Sequence, residues 1–232
     1  VDQQYDELAS RISEVERVLR PYRDDVEIPS LCRVLGSVHG KRILDVGCGS
    51  GAYARLVKQR GASHVVGVDV SSGMIEVARA IERERPLGVK YYVYDVAVMP
   101  VLDAFDVIIA AHVLHYSDSR HMLAGMCERL CANLVSGGRL LAFVGNSMCD
   151  AKSAEAYGFV IRGPAHPHDG DVFTISILTT PPATAQAYYW SSRTLAEVLE
   201  SSGFTDVTWE TLTSSHVTNG DLPNLLVSAR KR

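Results

Sequence analysis

Apolar residues recur with two different periods along this chain, and the switches between them mark its elements. Leu8, Ile12, Val15 and Leu19 stand at helical spacing within residues 2–20, and Pro21 is expected to end that amphipathic helix. A second short helix is expected from about Pro29, a residue favoured in the first helical turn, to Gly36 as its stop. From residue 41 the pattern becomes short continuous apolar runs separated by helical stretches. Ile43 with Leu44, Val65 to Val68, VKYYVYDVA ending in Asp95, Phe105 to Ala110, and RLLAFVGN read as buried strands. The intervening helices are expected from about Ala52 to Arg60, after a cap at Ser71 or Ser72, and over 119–136, with Gly137-Gly138 as the stop. Such alternation predicts an α/β sheet of parallel strands over residues 41–145.

The alternation breaks at Ser147. YGFVIR, VFTISIL and AQAYYW are strand-like runs separated by GPAHPHDGD and TTPPAT, both rich in turn formers, which predicts a small antiparallel insertion over the strand ends. The helix SSRTLAEVLESSGF and the strands DVTWETL and NLLVSARK then complete the sheet. The expected organisation is one domain: an N-terminal helical cap (1–40), a binding core (41–146), a substrate-covering insertion (147–190) and the end of the core sheet (191–232).

Candidate chemistry concentrates in RILDVGCGSG, residues 42–51. Gly47, Gly49 and Gly51 sit at alternate positions between a strand and a helix start, and glycine there lets backbone approach a ligand closely. A dinucleotide site wants G-x-G-x-x-G, whereas the third glycine comes one residue early here; no Gly-Lys-Ser/Thr follows, so the P-loop also fails. Asp45, two residues before the first glycine, suits a ligand carrying an ammonium rather than a phosphate. D-V-G-C-G-S-G closely resembles the first motif of class I S-adenosylmethionine (SAM) dependent methyltransferases, of small-molecule type.

That resemblance implies a Rossmann-like, seven-stranded, mostly parallel sheet with helices on both faces, its last strand folded back antiparallel. It also implies SAM as cofactor, S-adenosylhomocysteine as product, and Asp45, Gly47, Cys48, Gly49 and Gly51 at the cofactor. Asp69, about 20 positions beyond the glycine-rich turn, stands where a ribose diol is gripped, with Val70 beside it. Met74 matches the apolar residue that packs on adenine, though core packing explains it nearly as well. Asp95 would accept a hydrogen bond from the adenine amino group, and the Val96 amide would meet a ring nitrogen. Backbone near Ala111 and His112, in AFDVIIAAHVLHY, would lie beside the methionine part. Tyr5, in YDELA, resembles a tyrosine of the N-terminal cap in relatives. His115 is a candidate catalytic base, because a histidine with pKa near 6.5 takes up a proton near neutral pH. His168 is a second candidate base, from the insertion.

Composition narrows the partners. A net charge of −4 and pI near 6.1 offer no basic field for nucleic acid. No apolar run approaches the roughly 18 residues of a membrane span, so a cytoplasmic monomer or homodimer acting on a small-molecule acceptor is expected. Cys32, Cys48, Cys127, Cys131 and Cys149 form no C-x-x-C pair and read as small core residues, so no metal is expected. His166 and His168 with Asp169 or Asp171 could hold a metal, but read better as loop residues. Aromatic residues Tyr157, Phe159, Phe173, Tyr188, Tyr189 and Trp190 suit a flat acceptor. The layout is similar to bacterial small-molecule methyltransferases of specialised metabolism, and faintly similar to those that N-methylate toxoflavin precursors. A NAD(P)-dependent oxidoreductase and a non-catalytic SAM-binding partner protein are the rival readings.

Overall fold

The structure, a computed structural model, describes residues 10–146, 149, 151–210, 212–214 and 222–232. Tyr5 and Leu8 lie outside the described residues.

Helices α1 (Ile12–Tyr22) and α2 (Ile28–Leu35) are joined by a π-helical turn, Arg23–Glu27, into one helical run. Pro21 therefore does not end the first helix as expected; it lies in its last turn. The Ile28 amide reaches five residues back to the Arg23 carbonyl. This wider turn carries the chain past the missing amides of Pro21 and Pro29 and buries Val26 and Glu27 together.

The core follows as β1 (Arg42–Val46), α3 (Ala52–Gln59), β2 (His64–Asp69), α4 (Ser72–Glu84), β3 (Lys90–Val93), β4 (Phe105–Ala111), a 3₁₀ turn (Leu114–Tyr116), α5 (Arg120–Ala132) and β5 (Leu134–Gly145). The insertion contributes α6 (Ala151–Ala156), β6 (Phe159–Arg162), β7 (Val172–Ile177) and β8 (Ala183–Tyr188). The chain returns through α7 (Ser192–Ser201), β9 (Phe204–Glu210) and β10 (Asn224–Lys231). The main sheet has the order β3-β2-β1-β4-β5-β10-β9, with β1 to β5 parallel and β10 antiparallel to both its neighbours. Strands β6, β7 and β8 form a separate antiparallel sheet.

Successive strand residues face opposite sides, so a strand covered on both sides is apolar throughout. Ile43, Ile109 and Leu141 enter one core cluster with α2 and α3, while Leu44, Ile108 and Leu140 enter the other with α5 and α7. Ser71 caps α4 as expected, its hydroxyl accepting from the Met74 amide, and Ser191 caps α7 by accepting from the Thr194 amide.

Two boundaries differ from expectation. Gly137-Gly138 lies inside β5 rather than ending α5; the register between β4 and β5 slips there, with Phe105 opposite Leu134 but Val107 opposite Arg139. The helix ends instead at Asn133, whose side chain accepts from the Leu102 amide and donates to the Pro100 and Arg129 carbonyls. Asp95 stands two residues beyond β3, in the following turn.

The small sheet and the cap close over the strand ends. Val15 of α1, Met74 of α4, Ile177 of β7 and Ala183 of β8 form one buried cluster. Trp190 anchors the insertion by donating its indole N–H to the Ser117 carbonyl, 3.1 Å away.

Where β1 gives way to α3, Gly51 has φ +89° and a Cβ there would overlap the Tyr91 hydroxyl. Gly51→Ala is expected to cost about 2–4 kcal/mol, from left-handed backbone strain plus overpacking. Urea unfolding measures it; a loss below the resolution of that measurement would contradict the close packing.

Candidate functional site

The carboxyl ends of β1, β2 and β4 open on the same edge of the sheet, beside the point where strand order reverses between β1 and β4. Open parallel sheets bind ligands there, because the loops diverge and leave a crevice. The crevice is a cavity of about 680 Å³, a size usual for small-molecule sites.

Its floor is the glycine loop. The Gly49 amide donates to Asp69 Oδ2 at 2.9 Å, and the Ser71 amide donates to Asp69 Oδ1 at 2.9 Å. One carboxylate thus ties the loop after β1 to the loop after β2. Asp69 also lines the cavity. At Gly49, φ is +51° and a Cβ would meet nothing within 4 Å, so this glycine leaves open space where a ligand can approach backbone. Gly47 and Cys48 also line the cavity. Val70, Met74, Asp95 and Val96 form its next wall, with Asp95 Oδ1 accepting from the Ala97 amide at 2.8 Å. Ala111 and His112 line it at the end of β4.

Four sequence candidates stand differently from expectation. Asp45 is fully buried and does not line the cavity: its Oδ2 accepts from the Ala54 amide at 2.8 Å, so it pins the start of α3 instead of facing a ligand ammonium. Burial pushes its carboxyl up to about 8, opposed by that hydrogen bond and reinforced by the Asp69 charge. Gly51 packs on Tyr91 away from the cavity. His168 is on the solvent-facing loop between β6 and β7, its side chain 89% exposed, and is not brought to the cavity. Its turn is organised locally, with the His168 amide donating to Asp171, while Asp169 accepts from Ser191 and Thr194 at the start of α7. Among the described residues no group of His, Cys, Asp and Glu is arranged to hold a metal.

His115 does line the cavity, but the basicity expected of it is not there. Burial, with the His112 charge adding, drives its pKa down to about 3, and its Nε2 is buried with no hydrogen-bond partner among the described residues.

The cap supplies polar groups that sequence reasoning missed. Glu27, 4% exposed, accepts from Tyr53 Oη at 2.5 Å and pairs with His112 Nε2 at 2.6 Å. Glu16 accepts from Ser50 of the glycine loop and from Arg23. These residues sit in SEVERVLRPYRDDVE, which reads as an ordinary charged helix face; no spacing separates the inward carboxylates from the outward ones. The opposite wall is apolar and aromatic: Phe159, Ile161, Phe173, Ile175, Tyr189 and Trp190 come from or adjoin the insertion. Tyr157 does not join them, its hydroxyl being hydrogen-bonded with Asp25 and Ser214.

A family model described as a methyltransferase domain matches residues 43–138. Residues 43–138 are thus similar in sequence to a methyltransferase domain. Its fold is that of solved SAM-dependent methyltransferases, including one from Mesorhizobium loti (TM-score 0.65, 24% identity, 88% of this chain and 97% of that one). Another, from Thermotoga maritima and described as a possible histamine N-methyltransferase, superposes with TM-score 0.66 at 15% identity, over 100% and 99% of the two chains. At these identities the likeness is one of fold. In sequence, the methyltransferase domain is similar to the ubiquinone biosynthesis O-methyltransferase of Alkalilimnicola ehrlichii, 29% identical over 68% of this chain and 62% of that protein. The tRNA U34 carboxymethyltransferase of Colwellia psychrerythraea is 31% identical over 52% of this chain and 37% of its own length. The chain thus spans less than two thirds of the length of the curated relatives it matches.

The buried Asp45 makes stability depend on pH. With a folded pKa of about 8 against an ordinary value of about 4, the unfolded chain loses the proton first, so stability falls as pH rises from about 4 to about 8. Asp45→Asn removes that contribution, and its stability relative to the parent is expected to rise across this window in urea unfolding. A difference that stays constant with pH would contradict a protonated Asp45.

Proposed function

We propose that the protein is a SAM-dependent methyltransferase acting on a small aromatic or heterocyclic acceptor, in bacterial specialised metabolism. The observation that carries this reading is the continuity of one cavity, from Gly49, Asp69 and Asp95 at the strand ends to the aromatic wall of the insertion. A nucleoside fits the first half by its chemistry: hydroxyl donors for Asp69, an amino donor for Asp95, and apolar contacts from Val70, Met74 and Val96. A flat acceptor fits the second half, where ring faces and aliphatic side chains dominate.

The chemistry SAM supplies is a methyl group on a positively charged sulfur, whose carbon–sulfur bond breaks as the acceptor lone pair bonds to carbon, leaving S-adenosylhomocysteine. The chain's own contribution is alignment and exclusion of water. Asp69 and Gly49 fix the nucleoside end, the insertion fixes the acceptor, and the covering sheet and cap keep water from the space between. The O-methyltransferase role of the ubiquinone-pathway relatives makes hydroxyl acceptors the first to try. Against a tRNA substrate stand the net charge of −4 and the covered cavity. No helix among the described residues is long and apolar enough to cross a membrane. The reading includes a cytoplasmic monomer or homodimer.

Calorimetry with SAM and with NADH separates this reading from an oxidoreductase. Binding of SAM alone is expected, and Asp69→Ala is expected to weaken it more than tenfold through lost hydroxyl contacts. Transfer of labelled methyl from SAM to a panel of aromatic phenols and amines separates an enzyme from a SAM-binding partner protein. Binding of NADH in place of SAM, or unchanged SAM affinity in Asp69→Ala, would overturn the site as drawn.

A further inference from the structure

His112 holds a backbone conformation that a non-glycine residue adopts at a cost of about 1–3 kcal/mol, with φ +60°. Its amide donates to the Phe143 carbonyl and its ring stacks near Phe143. The strained backbone sets the imidazole between two environments. On one side, Nε2 meets Glu27 Oε1 at 2.6 Å; the other oxygen of this buried carboxylate is taken by Tyr53 Oη. On the other side, the ring borders the cavity and its side chain is 35% exposed.

Burial would raise the Glu27 carboxyl, but His112, Tyr53 and Arg23 together outweigh it and hold the carboxyl below its usual range. Glu27 is therefore ionised near neutral pH and only accepts hydrogen bonds. That fixes the tautomer: Nε2 carries the hydrogen and points at Glu27, and Nδ1 carries the lone pair. Nδ1 has no hydrogen-bond partner among the described residues. The His112 ring meets Glu27 from the π-helical turn and His115 from the turn after β4; Tyr53 of α3 and Arg23 act on Glu27, and Tyr116 contacts His115.

We propose that His112, oriented by Glu27, is the general base that removes the proton from a hydroxyl acceptor during methyl transfer. This rests on the methyltransferase reading above. In the step, the acceptor oxygen lone pair forms the oxygen–carbon bond while the carbon–sulfur bond breaks and its electron pair stays on sulfur. The hydroxyl proton passes to Nδ1 of His112, and the imidazolium so formed sits against the Glu27 carboxylate before losing its proton to solvent. His115 is the weaker base of the two rings, because burial drives its pKa down to about 3. Glu27 belongs to the N-terminal cap, so the base is complete only when the cap is docked on the core. Glu27 is the positioning residue of the pair.

The test uses the whole protein, Glu27→Gln and His112→Gln. The ring nitrogen NMR signals of His112 are expected to show hydrogen on Nε2 in the parent and to lose that preference in Glu27→Gln, whose side-chain amide can donate as well as accept. With labelled SAM, both variants are expected to lose about a hundredfold in transfer to phenols of pKa about 10. On a nitrophenol already ionised at the assay pH, the loss in both variants is expected to be at least about tenfold smaller. His112 ring signals that are the same in the parent and Glu27→Gln, an equal loss on ionised and un-ionised phenols, or no transfer to any phenol despite SAM binding would overturn the base. Failure of the parent protein to bind SAM would overturn the methyltransferase reading itself, and the base with it.

Discussion

The Asp69 carboxylate holds the site together. It accepts one amide from Gly49 and one from Ser71, so the loops leaving β1 and β2 are fixed to each other through two hydrogen bonds on one side chain. Buried amides cost free energy when left without partners, so the loop geometry is coupled to the presence of a carboxylate at the end of β2. Gly49 then faces open cavity. Asp69 serves the fold and the proposed ribose contact at once, and Asp69→Asn, which keeps the acceptor oxygen for one amide, separates these roles better than truncation does.

The core of the fold was legible because parallel strands buried on both faces carry continuous apolar runs. Ile43-Leu44, Val65–Val68 and Phe105–Ala111 stand out from helices whose apolar residues recur every three or four positions. The helical run from Ile12 to Leu35 was less legible, since Pro21 and Pro29 both read as boundaries and the π-helical turn that bridges them leaves no mark in composition. Gly137-Gly138 reads as a helix stop for a similar reason: a bulge within a strand and the end of a helix both call on glycine.

Gly47, Gly49, Asp69 and Asp95 are spaced in the sequence as the strand ends are, and all four line one cavity. Asp45 shows the limit of that logic. A carboxylate near the loop can face the ligand or lie under the loop, and the chain alone does not separate the two; the structure puts it beneath α3, 0% exposed. Glu27 shows the converse. It comes from an element 85 residues before His112, and only the docking of the cap on the core brings the two together. His168 looked reactive in sequence and stands in solvent, where its partner is a neighbour in its own turn.

The cap and the insertion, which meet around Val15, Met74, Ile177 and Ala183, turn an open crevice into a covered cavity. On the proposed reading, cofactor and acceptor are divided between the strand ends and these two additions. The most direct measurement of that division is a crystal structure of the protein with S-adenosylhomocysteine. The account predicts both ribose hydroxyls within hydrogen-bond distance of the Asp69 carboxylate, adenine beside Asp95, and the sulfur directed at the space under the insertion. A ligand bound with its ribose away from Asp69, or outside this cavity, would contradict it.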